Sequence, residues 1–251
     1  MDRRTFITAT SAAALGIPAF LTVPRRLPTP PIKAVLFDAF PIFDPRPIGA
    51  LLTRLFADRG PALLAAWRAR QFEYTWLRTA AGRYRDFWIV TRQAFTSATR
   101  SLGLTATPAQ EAAVMDAYLH LPAWPDVPGA LQTLKDRGLR VGFLSNFTEE
   151  MLKANLISAG LQGQFDYVLS TDRVQQFKPA PEAYQLGLAA TGLPREQIVF
   201  TAFAGWDAAG AKWFGYPTVW VNRLQTAAEE LDATPDQTGP DLQALISFLG
   251  R

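Results

Sequence analysis

The sequence predicts an α/β protein: a doubly wound parallel sheet with a helical block inserted after its first strand. Three observations predict it. A short apolar run, Ala34-Val35-Leu36-Phe37, ends on a carboxylate, Asp38. A long segment from Pro47 to Leu121 is helical in character. Beyond Pro122 the pattern changes to regular strand–helix alternation, the pattern of parallel strands joined by crossover helices.

Taken in order, residues 32–38 read as the first strand. In Ala62–Thr79 the residues Leu64, Trp67, Phe72, Trp76 and Leu77 recur near the helical period, and Phe87–Leu102 and Gln110–Leu121 read the same way. The alternating part gives strands at Leu139–Ser145, Tyr167–Ser170, Ile198–Thr201 and Thr218–Val221. Helices fall between and around them at Glu149–Ala159, Pro181–Thr191 and Asp207–Phe214. The expected organisation is a leader over 1–31, a core from 32–46 and 123–251, and a helical cap over 47–122. A pocket is expected where cap and core meet.

Composition narrows the class. Of 25 basic and 22 acidic residues, the first 31 positions hold Arg3, Arg4, Arg25 and Arg26 against Asp2. That accounts for the whole formal charge of +3, so the remainder is balanced and carries no nucleic-acid footprint. Asp2-Arg3-Arg4-Thr5-Phe6-Ile7 resembles a twin-arginine export signal followed by an apolar stretch from Ile7 to Val23, so a periplasmic or exported protein is expected. No clean small-x-small cleavage site precedes the Pro-rich stretch Pro24–Pro31; retention as a membrane tether and an uncleaved cytosolic extension are the alternatives. With no cysteine, disulfides, thiolate catalysis and Cys-zinc sites are excluded. His120 is the sole histidine and reads as a helix-end residue, so a serine-hydrolase triad finds no support.

The polar residues that follow apolar runs define a candidate site. Asp38, Leu144-Ser145-Asn146, Lys178-Pro179 and Trp206-Asp207 are far apart in sequence. In an open α/β sheet the carboxyl ends of the strands form the ligand crevice, where these groups would converge. A carboxylate nucleophile beside a hydroxyl, an amide, a lysine and a second carboxylate makes a plausible hydrolytic centre.

These residues resemble the haloacid dehalogenase superfamily, and within it the L-2-haloacid dehalogenases. The resemblance runs from residue 32 to residue 246 and rests on six stretches in order. They are Gln71-Phe72-Glu73-Tyr74-Thr75-Trp76-Leu77-Arg78, Met115-Asp116-Ala117-Tyr118-Leu119, Phe143-Leu144-Ser145-Asn146, Lys178-Pro179, Trp206-Asp207-Ala208-Ala209-Gly210-Ala211 and Trp220-Val221-Asn222-Arg223. The resemblance implies a Rossmann-type core with a cap and hydrolysis of short (S)-2-haloalkanoic acids through an aspartyl ester. It implies Asp38 as nucleophile and Arg68 as acceptor of the departing halide. Ser145 and Asn146 would hold the nucleophile and the substrate carboxylate, their alternative being to cap the helix near Glu149. Lys178 would keep the nucleophile ionised, and Asp207 would orient that lysine and help position water. Phe40, Phe72, Phe87 and Trp206 fall at pocket positions, with core packing as the alternative for each. No metal or organic cofactor is implied; the partners are a small halogenated carboxylic acid and, through the Trp/Tyr-rich cap helix, a second copy of the chain.

Two stretches depart from the family pattern. The family reads Asp-x-Tyr-Gly-Thr-Leu-Phe-Asp at the nucleophile, whereas Asp38-Ala39-Phe40-Pro41-Ile42-Phe43-Asp44 is one residue shorter and lacks the Gly and Thr. The family's Ser-Ser-Asn-Ala-Trp-Asp is replaced by Ala202-Phe203-Ala204-Gly205-Trp206-Asp207. Arg46 is a candidate for compensation if it faces the pocket, and Phe203 would narrow the pocket if it points inward. The missing polar groups are also what a binding protein without turnover would show. A phosphatase of the same superfamily is disfavoured, because Phe40 stands where its second aspartate would be and can neither transfer a proton nor bind Mg²⁺.

Overall fold

The computed structural model describes residues 31–250; the twin-arginine-like leader lies outside them. Strands β1 (Ala34–Phe37), β2 (Arg140–Ser145), β3 (Tyr167–Ser170), β4 (Ile198–Ala202), β5 (Thr218–Val221) and β6 (Gln237–Gly239) form one sheet in the order β3-β2-β1-β4-β5-β6. Every pairing is parallel. The central strands are buried on both faces, so they read as continuous apolar runs. Register then fixes the site. Phe37 pairs with Phe143 on one side and Thr201 on the other, so Asp38, Ser145 and the Ala202–Trp206 stretch all emerge at the same carboxyl edge. The chain turns back across β1, from β3 to β4, which makes this edge the switch point of the sheet.

Between β1 and the rest of the sheet lie α1 (Arg46–Phe56), α2 (Gly60–Ala80), α3 (Phe87–Ser101) and α4 (Pro108–Ala117), packed on one another. The two connecting segments pair where the block leaves and rejoins: Phe43 bridges Ala123 antiparallel, and Asp44 N–H donates to the Pro122 carbonyl at 2.8 Å. The helix expected over Gln110–Leu121 ends at Ala117, because the Leu121 N–H is taken by Asn155 Oδ1 at 2.8 Å and Pro122 disfavours a helical predecessor. The remaining helices are α5 (Val127–Asp136), α6 (Glu149–Ser158), α7 (Pro181–Thr191), α8 (Gly205–Phe214) and α9 (Gln243–Phe248). Gly210 on α8 is required by close approach: a Cβ there would come within 2.5 Å of the Tyr184 hydroxyl and 2.7 Å of Pro179. Among the described residues no helix is long and apolar enough to cross a membrane.

Candidate active site

Asp38 is the first residue past β1, and its two oxygens differ. Oδ1 accepts from Ser145 Oγ at 3.1 Å and from Lys178 Nζ at 3.0 Å. Among the described residues Oδ2 has only the long contact from the Phe40 N–H, at 3.4 Å. Lys178 is buried and bridges the two carboxylates, reaching Asp207 Oδ2 at 2.6 Å. Burial alone would pull its pKa down, but Asp207 and Asp38 outweigh burial and the net shift is upward. Asp207 is fully enclosed, its other oxygen accepting from the Tyr184 hydroxyl at 2.7 Å. Burial raises its carboxyl to about 6, against the opposing pull of Lys178.

The two residues at the end of β2 divide their work. Ser145 Oγ donates to Asp38 and accepts from Phe147 N–H at 3.2 Å, so its proton is committed to the carboxylate. Asn146 Oδ1 accepts from Lys178 N–H at 3.0 Å and Thr171 Oγ1 at 3.3 Å, which turns its amide N–H₂ away from these partners, on a residue that lines the cavity. Neither caps the following helix. Thr148 does that, accepting from Met151 N–H at 3.1 Å.

A cavity of about 280 Å³ lies between the sheet edge and the helical block. Asp38, Ser145 and Asn146 form one wall, Arg68 of α2 another, and Phe40, Phe72, Phe87 and Trp206 all face it. Among the described residues Arg68 has no hydrogen-bond or ion-pair partner, so its charge is available to a ligand. The aromatic rings form two packed groups: Phe147 packs on Phe40 and Phe87, and Trp206 packs on Phe72. Phe203 does point inward and packs on Phe40, with ring centroids 5.4 Å apart. Apolar rings around the site lower the local polarity and strengthen the charge interactions beside them.

Several expectations change. Lys178 and Asp207 do not line the cavity, and each Asp207 oxygen accepts from a buried side chain, so Asp207 acts here through the charge of Lys178. Arg46 does not compensate within the pocket; its guanidinium pairs with Asp44 at 2.7 Å and lies against Trp124. His120 pairs with Asp116 on the surface. Tyr184 of α7 closes the Asp207 site through its hydroxyl. The stretch after β5 is matched only as far as Asn222-Arg223: Asn222 lines the cavity, and so do Leu224, Thr226, Ala227 and Glu229 beyond the match. No motif marks these last four, and only the position of the loop over the carboxyl edge brings them there. Among the described residues no group of three or more His, Cys, Asp or Glu is gathered as a metal would require.

A parallel sheet with an aspartate past its first strand, a lysine bridging to a second aspartate and a helical block over the carboxyl edge defines a class. It is that of the haloacid dehalogenase-like hydrolases, whose family model matches residues 31–215. The chain is 39% identical to an (S)-2-haloacid dehalogenase of Pseudomonas sp. (strain YL), covering 86% of this chain and 94% of that one. The crystal structure of the L-2-haloacid dehalogenase RSc1362 superposes with a TM-score of 0.86 at 41% identity, covering 88% of this chain and all of that one. An L-2-haloacid dehalogenase from Xanthobacter autotrophicus with chloropropionic acid covalently bound superposes at 0.81, with 32% identity over 87% of this chain and 98% of that one. The chain belongs to the L-2-haloacid dehalogenase family of these hydrolases.

Proposed function

We propose that this chain hydrolyses short (S)-2-haloalkanoic acids, such as haloacetate and 2-halopropionate, to 2-hydroxy acids through an ester on Asp38. The observation that carries the reading is the asymmetry at Asp38: Oδ1 is held by Ser145 and Lys178, which leaves Oδ2 with lone pairs for attack. Asp38 Oδ2 attacks the halogen-bearing carbon, the C–O bond forms as the carbon–halogen bond breaks, and the halide leaves with the bonding pair. Arg68, free of other partners, takes up that charge. The Asn146 amide donates to the substrate carboxylate, and the aromatic lining holds the alkyl part. Water then attacks the ester carbonyl, regenerating Asp38 and releasing the hydroxy acid with inverted configuration. Two relatives and one solved structure support the same chemistry, among them the haloacetate dehalogenase H-2 of Moraxella sp. (strain B), 34% identical over 87% of this chain and 98% of that one.

The test is halide release from (S)- and (R)-2-chloropropionate and from monohaloacetates, with and without chelator. Chelator-resistant release selective for the (S) acid supports the reading. Ligand binding without halide release would mark a binding protein, and Mg²⁺-dependent phosphate release would mark a phosphatase.

A pH dependence follows from the buried pair. Below about 6 Asp207 takes up a proton, Lys178 then leans on Asp38 alone, and the nucleophile weakens. The kcat/KM profile is expected to fall on its acid side near pH 6 and to lose that limb in Asp207→Asn. Tyr184→Phe removes a hydrogen bond that holds Asp207 ionised and should move the limb to higher pH. For stability the sign is that of a raised acid. The contribution favouring the fold is full below the ordinary carboxylate range and is lost as pH rises through about 6.

We also propose export by the twin-arginine route, on the strength of Arg3-Arg4 before the apolar stretch. Replacing both arginines by lysine should leave the protein in the cytoplasmic fraction, whereas unchanged periplasmic recovery would contradict export by this route.

A further inference from the structure

The nucleophile loop lacks the Gly and Thr of the family pattern, yet every peptide from Ala39 to Phe43 is accounted for. The Ala39 carbonyl accepts from both Ile42 N–H, at 3.1 Å, and Phe43 N–H, at 2.9 Å. The Ala39–Phe40 peptide turns its N–H toward Asp38 Oδ2. The Phe40–Pro41 peptide has no N–H, and its single polar group, the Phe40 carbonyl, accepts from Trp124 Nε1 at 3.0 Å. The Pro41 carbonyl accepts from Arg223 Nη2 at 2.6 Å, and the Ile42 carbonyl from Trp124 N–H at 3.0 Å.

Arg223 is itself fixed. Its side chain is 3% exposed and pairs with Asp126 at 2.7 Å, and the other Asp126 oxygen accepts from Leu242 N–H at 2.9 Å. The guanidinium groups of Arg223 and Arg46 both lie against the Trp124 ring, 4.7 and 4.5 Å from its centroid. Neither Trp124 nor Arg223 lines the cavity. They hold two successive carbonyls of the loop from outside.

We propose that Arg223 and Trp124 are positioning residues for the nucleophile, holding the shortened loop so that the Phe40 N–H and ring face Asp38. The proposal rests on the dehalogenase reading. Fixing a loop by its carbonyls sets the line of attack at Asp38 without touching substrate, so its loss appears in the rate of ester formation and leaves substrate binding in place.

The test uses Trp124→Phe, which keeps a ring and deletes the donor to the Phe40 carbonyl, and Arg223→Met, which keeps length and deletes the donor to the Pro41 carbonyl. Measured on folded protein, kcat and the single-turnover rate of ester formation are expected to fall about tenfold in each, with KM within about twofold of the parent. The double variant should lose less than the product of the two, because both act on one loop. If kcat in Trp124→Phe stays within about twofold of the parent, or if KM rises in proportion to the loss, the proposal is overturned. Should Arg223→Met not fold, Trp124→Phe decides alone. A parent that releases no halide overturns the dehalogenase reading and this inference with it, whereas an active parent with unchanged variants overturns the inference alone.

Discussion

Replacing Asp38 by Asn is expected to abolish halide release, by about 10⁴-fold or more, while the protein stays folded. The amide is nearly the same size, and its oxygen still accepts from Ser145 and Lys178, which both reach Oδ1. What it loses is the charge and the lone pairs of Oδ2, the one oxygen without a close partner. Lys178 keeps its second carboxylate at 2.6 Å, so no buried cation is orphaned. A second readout is available, because the Asp38 charge is one of the causes raising Asp207. Asp38→Asn should therefore lower the Asp207 pKa, measurable by carboxyl-carbon NMR titration. Halide release at the parental rate would show that another group attacks the substrate.

Lys178→Met is expected to damage both activity and stability. The lysine is buried between two carboxylates, and removing it leaves their charges facing each other without a cation. Breaking a buried pair by deleting one partner costs about 3–5 kcal/mol, because the remaining charge stays desolvated. Loss of the cation beside the nucleophile should lower kcat by about 10²–10³-fold. The pH dependence carries the sign. Without Lys178, Asp207 rises further above its already raised position, so the folded state holds its proton more strongly. Stability then falls as pH climbs through that higher value, and the Tm deficit relative to the parent should be larger at pH 8 than at pH 5. An equal deficit at both values would mean that Asp207 is not the carboxylate Lys178 compensates.

Much of the fold was legible because the chemistry that makes it is local. Ala34–Phe37 and Ile198–Ala202 are buried on both faces, so nothing but apolar residues suits them, and the run announces the strand. The polar groups that follow these runs announce the site, since register alone carries them to one edge. Other elements leave fainter marks. Helix α5 buries Val127, Ala130, Leu131 and Leu134 at helical spacing, but Pro128 and Gly129 at its start read as a turn, although proline is well tolerated in a first turn. Strand β6, Gln237–Gly239, has no apolar residue, so it exists only through pairing with β5. Helix α9 is six residues long and shorter than any periodicity can establish.

The site divides in the same way. Asp38, Ser145, Asn146 and Lys178 follow recognisable patterns, whereas Leu224, Thr226, Ala227 and Glu229 of the loop after β5 reach the cavity through tertiary geometry that no local pattern encodes. The missing Gly and Thr looked like losses in the sequence because the partners of the shortened loop, Trp124 and Arg223, lie 84 and 182 residues away from the carbonyls they hold. Arg46, near in sequence and the obvious substitute, is held instead by Asp44, its acidic neighbour two residues back. The pocket alternatives also resolve by geometry: Phe40, Phe72, Phe87 and Trp206 are packed on other rings and face the cavity at the same time, so core packing and cavity lining are one role.

The most direct test of the ester on Asp38 is a single turnover of (S)-2-chloropropionate in ¹⁸O-labelled water with enzyme in excess, followed by mass analysis of the peptide that contains Asp38. In the proposed chemistry the product hydroxyl comes from Asp38 Oδ2 and the label enters the Asp38 carboxylate, so that peptide gains ¹⁸O while the first-formed lactate does not. Label in the lactate of the first turnover, with Asp38 unlabelled, would mean that water attacks the substrate directly and would contradict the account.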